Sequence, residues 1–229
     1  VGTNAAVVAL GMGADVTILE KSTDRMEELV ARFGTAIKTI YSTQGAVEDE
    51  CAAADLVIGG VLIPGAAAPK LVTKAMLKDW KPGSVLVDHT TASATLAREL
   101  SAACKEKNVG FIDAPVSGGQ AGAENGALTV MCGCDEQKVF DRVRPVFDAY
   151  AKACQRIGDA GAGQLTKMAN QIAVAGVIEG LAEALHFAEQ AGLDATKVIS
   201  AISQGAAQSW QMDNRAKSMI EDSYNHGFA

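Results

Sequence analysis

The sequence holds little that would tie it to nucleic acid, a metal or a membrane. Lys and Arg total 20 against 27 Asp and Glu, a net charge of -7 with a pI near 5.0. The cations are scattered, so no basic patch marks a polyphosphate backbone or an anionic lipid surface. The cysteines (Cys51, Cys104, Cys132, Cys134 and Cys154) are odd in number and lie in apolar or helical stretches. That argues against a disulfide framework and for reduced thiols in a cytoplasmic protein. Cys132-Gly-Cys134 has no second ligand-rich motif to complete a four-coordinate zinc, so no metal is expected. His89, His186 and His226 share no motif spacing, and Ser117 has no His/Asp pattern of a hydrolase beside it. Aromatic residues make up only 5%. No apolar run approaches the roughly 20 residues of a membrane span, and no leader pattern is visible. The chain does not begin with Met. A small-molecule partner is the expectation that remains.

What is present is enough for a sizeable core: 229 residues, 48% hydrophobic and 21% charged. Short runs rich in β-branched residues occur at Val16 to Leu19, Thr39 to Tyr41, Leu56 to Leu62, Ser84 to Val87, Val109 to Ile112 and Ala127 to Met131. Segments of helical period lie between them, at Met26 to Phe33, Pro69 to Trp80, Thr95 to Lys107 and Glu136 to Ala151. This alternation predicts an α/β fold with a mainly parallel sheet and helices on both faces. After Gly163 the pattern changes. Leu165 to Ala191 reads as one long helix, apolar almost all round and therefore a buried core helix, followed by helices over 194–203 and 208–220.

The segment from Val1-Gly2-Thr3-Asn4 to Thr17-Ile18-Leu19-Glu20 reads as the first helix and second strand of a dinucleotide fold that ends in an acid. In that position Glu20 hydrogen-bonds adenosine ribose hydroxyls and disfavours a 2′-phosphate, which points to NAD over NADP. Lys21 and Arg25 beside it pull the other way, and a strand-end acid is equally an ordinary surface residue. Gly2-Thr-Asn-Ala-Ala, Tyr41-Ser42-Thr43, Asp55-Leu-Val-Ile-Gly59 and Val61-Leu62-Ile63-Pro64-Gly65-Ala66 resemble the NAD domain of alanine dehydrogenases over about residues 1–88. The resemblance implies cofactor contacts at Gly2, Leu62 and Pro64. It makes Gly2 the third glycine of G-x-G-x-x-G, so the first strand and two glycines are expected to be missing.

A second pattern begins where the first ends. Val87-Asp88-His89-Thr90-Thr91-Ala92-Ser93, Asp113-Ala-Pro-Val-Ser117-Gly118-Gly119 and Gly161-x-Gly163-x-x-x-Lys167-x-x-Asn170-Gln171 resemble the β-hydroxyacid dehydrogenase family, which includes 3-hydroxyisobutyrate dehydrogenases and tartronate semialdehyde reductases. Lys81-Pro82-Gly83-Ser84 precedes a strand in both families, so the chain reads as a hybrid joined near 81–88. Ser117, Gly118 and Gly119 can offer a hydroxyl and consecutive N–H groups to a carboxylate, although they equally make an ordinary turn. A lysine is usually a solvated charge, but burial in an apolar helix would bring its pKa down towards working pH for proton transfer. The resemblance assigns catalysis to Lys167, substrate oxygens to Asn170 and Gln171, and a nicotinamide-side contact to Thr91, with Ser93 assisting. It also implies self-association through the C-terminal helices.

The expected organisation is a dinucleotide-binding domain over 1–162, incomplete at its N-terminus, and a helical substrate and dimerisation domain over 163–229, incomplete at its C-terminus. The expected activity is hydride transfer between NAD and a small β-hydroxyacid or its semialdehyde. An alanine dehydrogenase-like oxidoreductase and a non-catalytic truncated fragment are the alternatives.

Overall fold

The structure is a computed structural model and describes residues 2–60 and 70–224. They fall into two compact units, residues 1–84 with 106–109, and 85–105 with 110–229. The division at Ser84 and Val85 lies inside 81–88, the segment where the two sequence patterns meet.

The first unit carries α1 (Gly2–Gly11), β1 (Val16–Glu20), α2 (Thr23–Phe33), β2 (Ile37–Tyr41) and α3 (Gln44–Ala53). β1 and β2 pair in parallel, Val16 with Ile37 through Glu20 with Tyr41. α2 starts at Ser22, whose Oγ accepts the Arg25 N–H, and α3 starts at Thr43, whose Oγ1 accepts the Ala46 N–H. Both are side-chain caps of the kind that polar residues before a helix provide. Leu29 on the inner face of α2 is buried.

Two expectations fail in this unit. No strand forms over the described part of 56–62, and Leu56, Val57 and Ile58 stand exposed. A β-branched run becomes a strand only where a neighbour takes its N–H and C=O groups, and among the described residues β1 and β2 pair only with each other. Over Pro69 to Trp80, only a short 3-10 turn forms, at Met76–Asp79, with Met76 and Leu77 buried; Pro69 lies outside the described residues.

The second unit runs β3 (Val85–Asp88), α4 (Ala94–Lys105), β4 (Gly110–Asp113), β5 (Val116–Ser117), α5 (Gly119–Glu124), β6 (Leu128–Gly133), α6 (Gln137–Phe147), β7 (Ala151–Gly158), α7 (Ala162–Gln190), α8 (Ala195–Ile202) and α9 (Trp210–Ile220). β3 and β4 are parallel, as are β6 and β7, whereas β6 runs antiparallel to β4 and β5. The fold is α/β and Rossmann-like, with an antiparallel step inserted where the chain doubles back through Pro115. β7 replaces the end of the helix expected over Glu136 to Ala151. Pro145 lies inside α6 and the helix stops at Phe147, after which the chain re-enters the sheet. The core of this sheet comprises Ile112, Ala114, Val130, Cys132, Cys134, Phe140 and Phe147, and Leu181, Leu185, Ala195, Met212 and Ala216 form a second cluster among α7, α8 and α9.

The expectation of an α7 buried in the core is corrected. Of its 29 residues, only Gly163, Gln164, Leu181, Leu185 and Ala188 are buried, and Leu165, Met168, Ile172, Val177 and Phe187 are exposed. Three short helices and a sheet edge cannot cover a helix of this length on every side, so the all-round apolar pattern has another use. By length and composition alone α7 also reaches the level of a membrane span, with a mean hydropathy of 1.2. Lys167, Asn170, Glu179 and Glu183 interrupt it, and a helix packed in an assembly meets the same measure.

Phe147 is fully buried and sits edge-on to His89 and Tyr150. Phe147→Ala should cost about 3–5 kcal/mol, read as a lowered urea midpoint with an unchanged slope.

Candidate active site

The start of α7 is built around one buried carboxylate. Asp113, the last residue of β4, is fully buried; its Oδ1 accepts the Gly161 N–H at 2.8 Å and its Oδ2 accepts the Gln164 N–H at 2.9 Å. The first N–H groups of a helix have no intrahelical acceptors and sit at the positive end of the dipole, so a carboxylate there meets both needs. Burial raises the Asp113 carboxyl above the ordinary aspartate range, against the pull of the N–H groups of Gly161, Gln164 and Gly163. Two glycines make room. A Cβ on Gly133 would collide with Asp113 Oδ1, and one on Gly163 with the Met131 and Asp113 carbonyls. Alongside, Asp135 Oδ1 accepts the Ala160 N–H and its Oδ2 the Ser101 hydroxyl, tying α4 to the same turn.

This anchoring sets the position of Lys167. Its side chain is half-buried and burial alone lowers its pKa; no acidic partner contributes. Gln171, four residues on, lies on the same helical face. Asn170 donates from Nδ2 to Gln171 Oε1 at 3.0 Å, while its own face lines a cavity of about 610 Å³ with Thr129, Met131, Cys154, Gln155 and Thr166. Asn170 and Gln171, three and four residues after Lys167, are its neighbours on the helix surface.

Ser117, Gly118 and Gly119 form the turn from β5 into α5. Ser117 pairs with Thr129 of β6, and Gly118 and Gly119 have φ of 133° and 60°. Such angles suit glycine, and a Cβ on Gly118 would press on Leu128. The turn therefore needs its glycines whether or not it holds a carboxylate. Thr129 also lines the Asn170 cavity. No hydrogen bond joins Ser117, Gly118 or Gly119 to α7 among the described residues.

Thr91 is exposed after the C-terminal end of β3. Ser93 is engaged elsewhere, its Oγ accepting the Leu96 N–H at the start of α4. His89 has a structural place: Nδ1 donates to the Ala114 carbonyl at 2.6 Å, and Nε2 lies 2.9 Å from the Tyr150 hydroxyl. Burial pushes the Tyr150 hydroxyl up to about 12.

In the first unit, Glu20 ends β1, and its Oε1 accepts the N–H groups of Lys21 at 2.6 Å and Ser22 at 3.1 Å. The carboxylate is thereby aimed, with Oε2 left as an acceptor for a ribose hydroxyl, which fits an adenosine cofactor at the end of a parallel strand. Arg25 is occupied by Glu28 and by Thr3 Oγ1. Gly2 opens α1, and a Cβ there would meet open space. Leu62 and Pro64 lie outside the described residues. All five cysteines are free thiols, Cys132 and Cys154 3.7 Å apart, and no cluster of metal-ligating side chains occurs among the described residues.

Sequence reasoning missed Asp113 and Gln164 as organisers of the site. Asp113 stood in a quoted motif with no role, and nothing in a sequence distinguishes a buried glutamine from a surface one.

Residues 1–158 match the family model described as the NAD binding domain of 6-phosphogluconate dehydrogenase, and residues 161–229 match the one described as NAD-binding of NADP-dependent 3-hydroxyisobutyrate dehydrogenase. An uncharacterized oxidoreductase of Shewanella frigidimarina is 63% identical over 147 residues, 64% of this chain and 50% of that protein. Alanine dehydrogenase of Halomonas elongata is 58% identical over 88 residues, 38% of this chain and 24% of that protein. The 3-hydroxyisobutyrate dehydrogenase of Mycobacterium tuberculosis, solved with L-serine, aligns with a TM-score of 0.75 at 25% identity over 100% of this chain and 77% of that one. The chain spans about half the length of the first curated relatives it matches.

Asp113→Asn would keep one acceptor but turn an NH2 group towards a helix N–H. It should cost at least about 2 kcal/mol, measured as a fall in thermal midpoint, and Gly163→Ala should match or exceed that loss.

Proposed function

The chain belongs to the 6-phosphogluconate and 3-hydroxyisobutyrate dehydrogenase family, and on that premise we propose that it moves hydride between NAD(H) and a small β-hydroxyacid or its semialdehyde. The observation that carries the reading is the half-buried, unpaired Lys167 on a helix fixed by Asp113. A bound nicotinamide supplies the hydride for carbonyl reduction or accepts it in alcohol oxidation. Lys167 gives its proton to the carbonyl oxygen in reduction and takes the hydroxyl proton in oxidation. The Ser117-Gly118-Gly119 turn binds the substrate carboxylate, Asn170 and Gln171 hold its remaining oxygens, and Thr91 contacts the nicotinamide side. Glu20 takes the ribose hydroxyls, and since Arg25 is committed to Glu28 and Thr3, NAD is favoured over NADP.

We assign the exposed apolar residues of α7 to contact with a second copy of the chain. Free thiols throughout favour the cytoplasm. A second reading rests on the alanine dehydrogenase match over 88 residues: the cofactor half of the chain follows that family. Oxidation of L-alanine in place of hydroxyacids would favour it.

Lys167→Ala should lower turnover about 10²–10⁴-fold, with NADH binding, followed by nicotinamide fluorescence, changed less than about twofold. Retained turnover would reject the assignment. Because burial lowers the lysine pKa, oxidation, which needs the neutral amine, should rise with pH through a midpoint below that of an ordinary lysine. Reduction, which needs the ammonium, should fall over the same window. For stability the sign is opposite to that of a salt-bridged lysine. The folded state releases this proton more readily than the unfolded chain, so Lys167 opposes folding at neutral pH, and the penalty fades as pH rises through the lowered pKa. Lys167→Met should therefore lose activity while its thermal midpoint at pH 7 stays level or rises.

A further inference from the structure

Gln164 is almost completely buried, at 1% exposure, and its side chain is used at both ends. Oε1 accepts the Ala92 N–H at 2.9 Å and Nε2 donates to the Thr90 carbonyl at 2.7 Å. These two backbone groups flank Thr91. The glutamine amide thus pairs with the loop as a neighbouring strand would, and only one amide orientation satisfies both bonds. The loop has a third fixed point, where the Thr90 N–H donates to Asp88 Oδ1 at 2.9 Å. Gln164 itself is held by Asp113 through its backbone N–H. Lys167 lies three residues further along α7, on the same side of the helix.

We propose that Gln164 is a positioning residue that sets Thr91, and with it the cofactor face, relative to the proton-transferring Lys167. The inference rests on the redox reading above, because Thr91 and Lys167 take their roles from it. Hydride and proton must reach two adjacent atoms of one substrate bond, and a reacting geometry tolerates little error. A loop and a helix that are far apart in sequence meet that demand only through a rigid link. The side chain of Gln164 is such a link, reaching neither substrate nor cofactor itself.

The test compares Gln164→Ala, the similarly sized Gln164→Met and Gln164→Glu with wild type on the whole chain, with melting curves to confirm folding. Hydrogen exchange at the Ala92 amide should accelerate at least about tenfold in the Ala and Met variants, while the Asp113-bound amide of Gly161 keeps its protection. Gln164→Glu keeps the acceptor for Ala92 but sets an oxygen against the Thr90 carbonyl, so Ala92 protection should fall less than in the Ala and Met variants. Titration with NADH should give a dissociation constant raised several-fold in Gln164→Ala, and adding Thr91→Ala should change it little further, because both act through one contact. Unchanged Ala92 exchange overturns the clamp. Faster exchange with unaltered NADH affinity, or with fully additive effects, overturns the positioning role. Wild type that binds neither NADH nor NADPH overturns the redox reading, and the positioning role with it, while the exchange result still decides whether Gln164 holds the loop.

Discussion

The second unit depends on a carboxylate placed where water cannot reach it. Asp113 is the last residue of one strand, yet it serves the first turn of a helix some 50 residues later through Gly161 and Gln164. A buried carboxylate is costly unless its lone pairs are filled, and the N–H groups of a helix start are donors that would otherwise lack partners. Each group relieves the other's penalty. Gly133 follows from this, since a Cβ there would strike Asp113 Oδ1, and at Gly163 a Cβ would meet the Met131 and Asp113 carbonyls as well as the carboxylate. Gly161 answers instead to the Ala94 carbonyl and Arg98 and to its φ of 91°.

From that anchor the site extends outward along α7. The turn whose N–H groups donate to Asp113 contains Gln164, which reaches sideways to Thr90 and Ala92, and the next turn presents Lys167. Among the described residues no carboxylate pairs with this half-buried lysine, so its burial is a cost to stability. Asp113 and Asp135 accept from backbone N–H groups and from Ser101, and burial alone shifts the lysine.

Much of this was legible in the sequence, for reasons that vary by element. β1, β3, β4 and β6 fell where β-branched runs predicted them, since each has a partner strand to fill its backbone bonds. Leu56 to Gly60 has the same composition and no strand, because composition specifies the side chains and not the neighbour. β7 begins at Ala151, where the helix expected over Glu136 to Ala151 ended, and its mixed polar and apolar sequence raised no strand expectation; α6 itself stops at Phe147, just after Pro145. The motifs located Lys167, Asn170 and Gln171 on one helix at spacings of three and four residues, which makes them neighbours on its surface, and Asn170 also lines the cavity. The roles of Asp113 and Gln164 depend on burial, and burial is a property of the assembled unit.

The breadth of the apolar surface on α7 has a physical reading beyond the single chain. Its N-terminal turns are committed to β4 and the Thr91 loop, and its C-terminal turns to α8 and α9 through Leu181, Leu185, Met212 and Ala216. Between and around those contacts Leu165, Met168, Ile172, Val177 and Phe187 remain uncovered. Burial of such side chains contributes about 1.5–3 kcal/mol each, a gain that one copy of this chain leaves unrealised. A helix pinned at both ends and apolar between them is rigid enough to present that surface without rearrangement. Any partner that covers it would also brace the helix carrying Lys167.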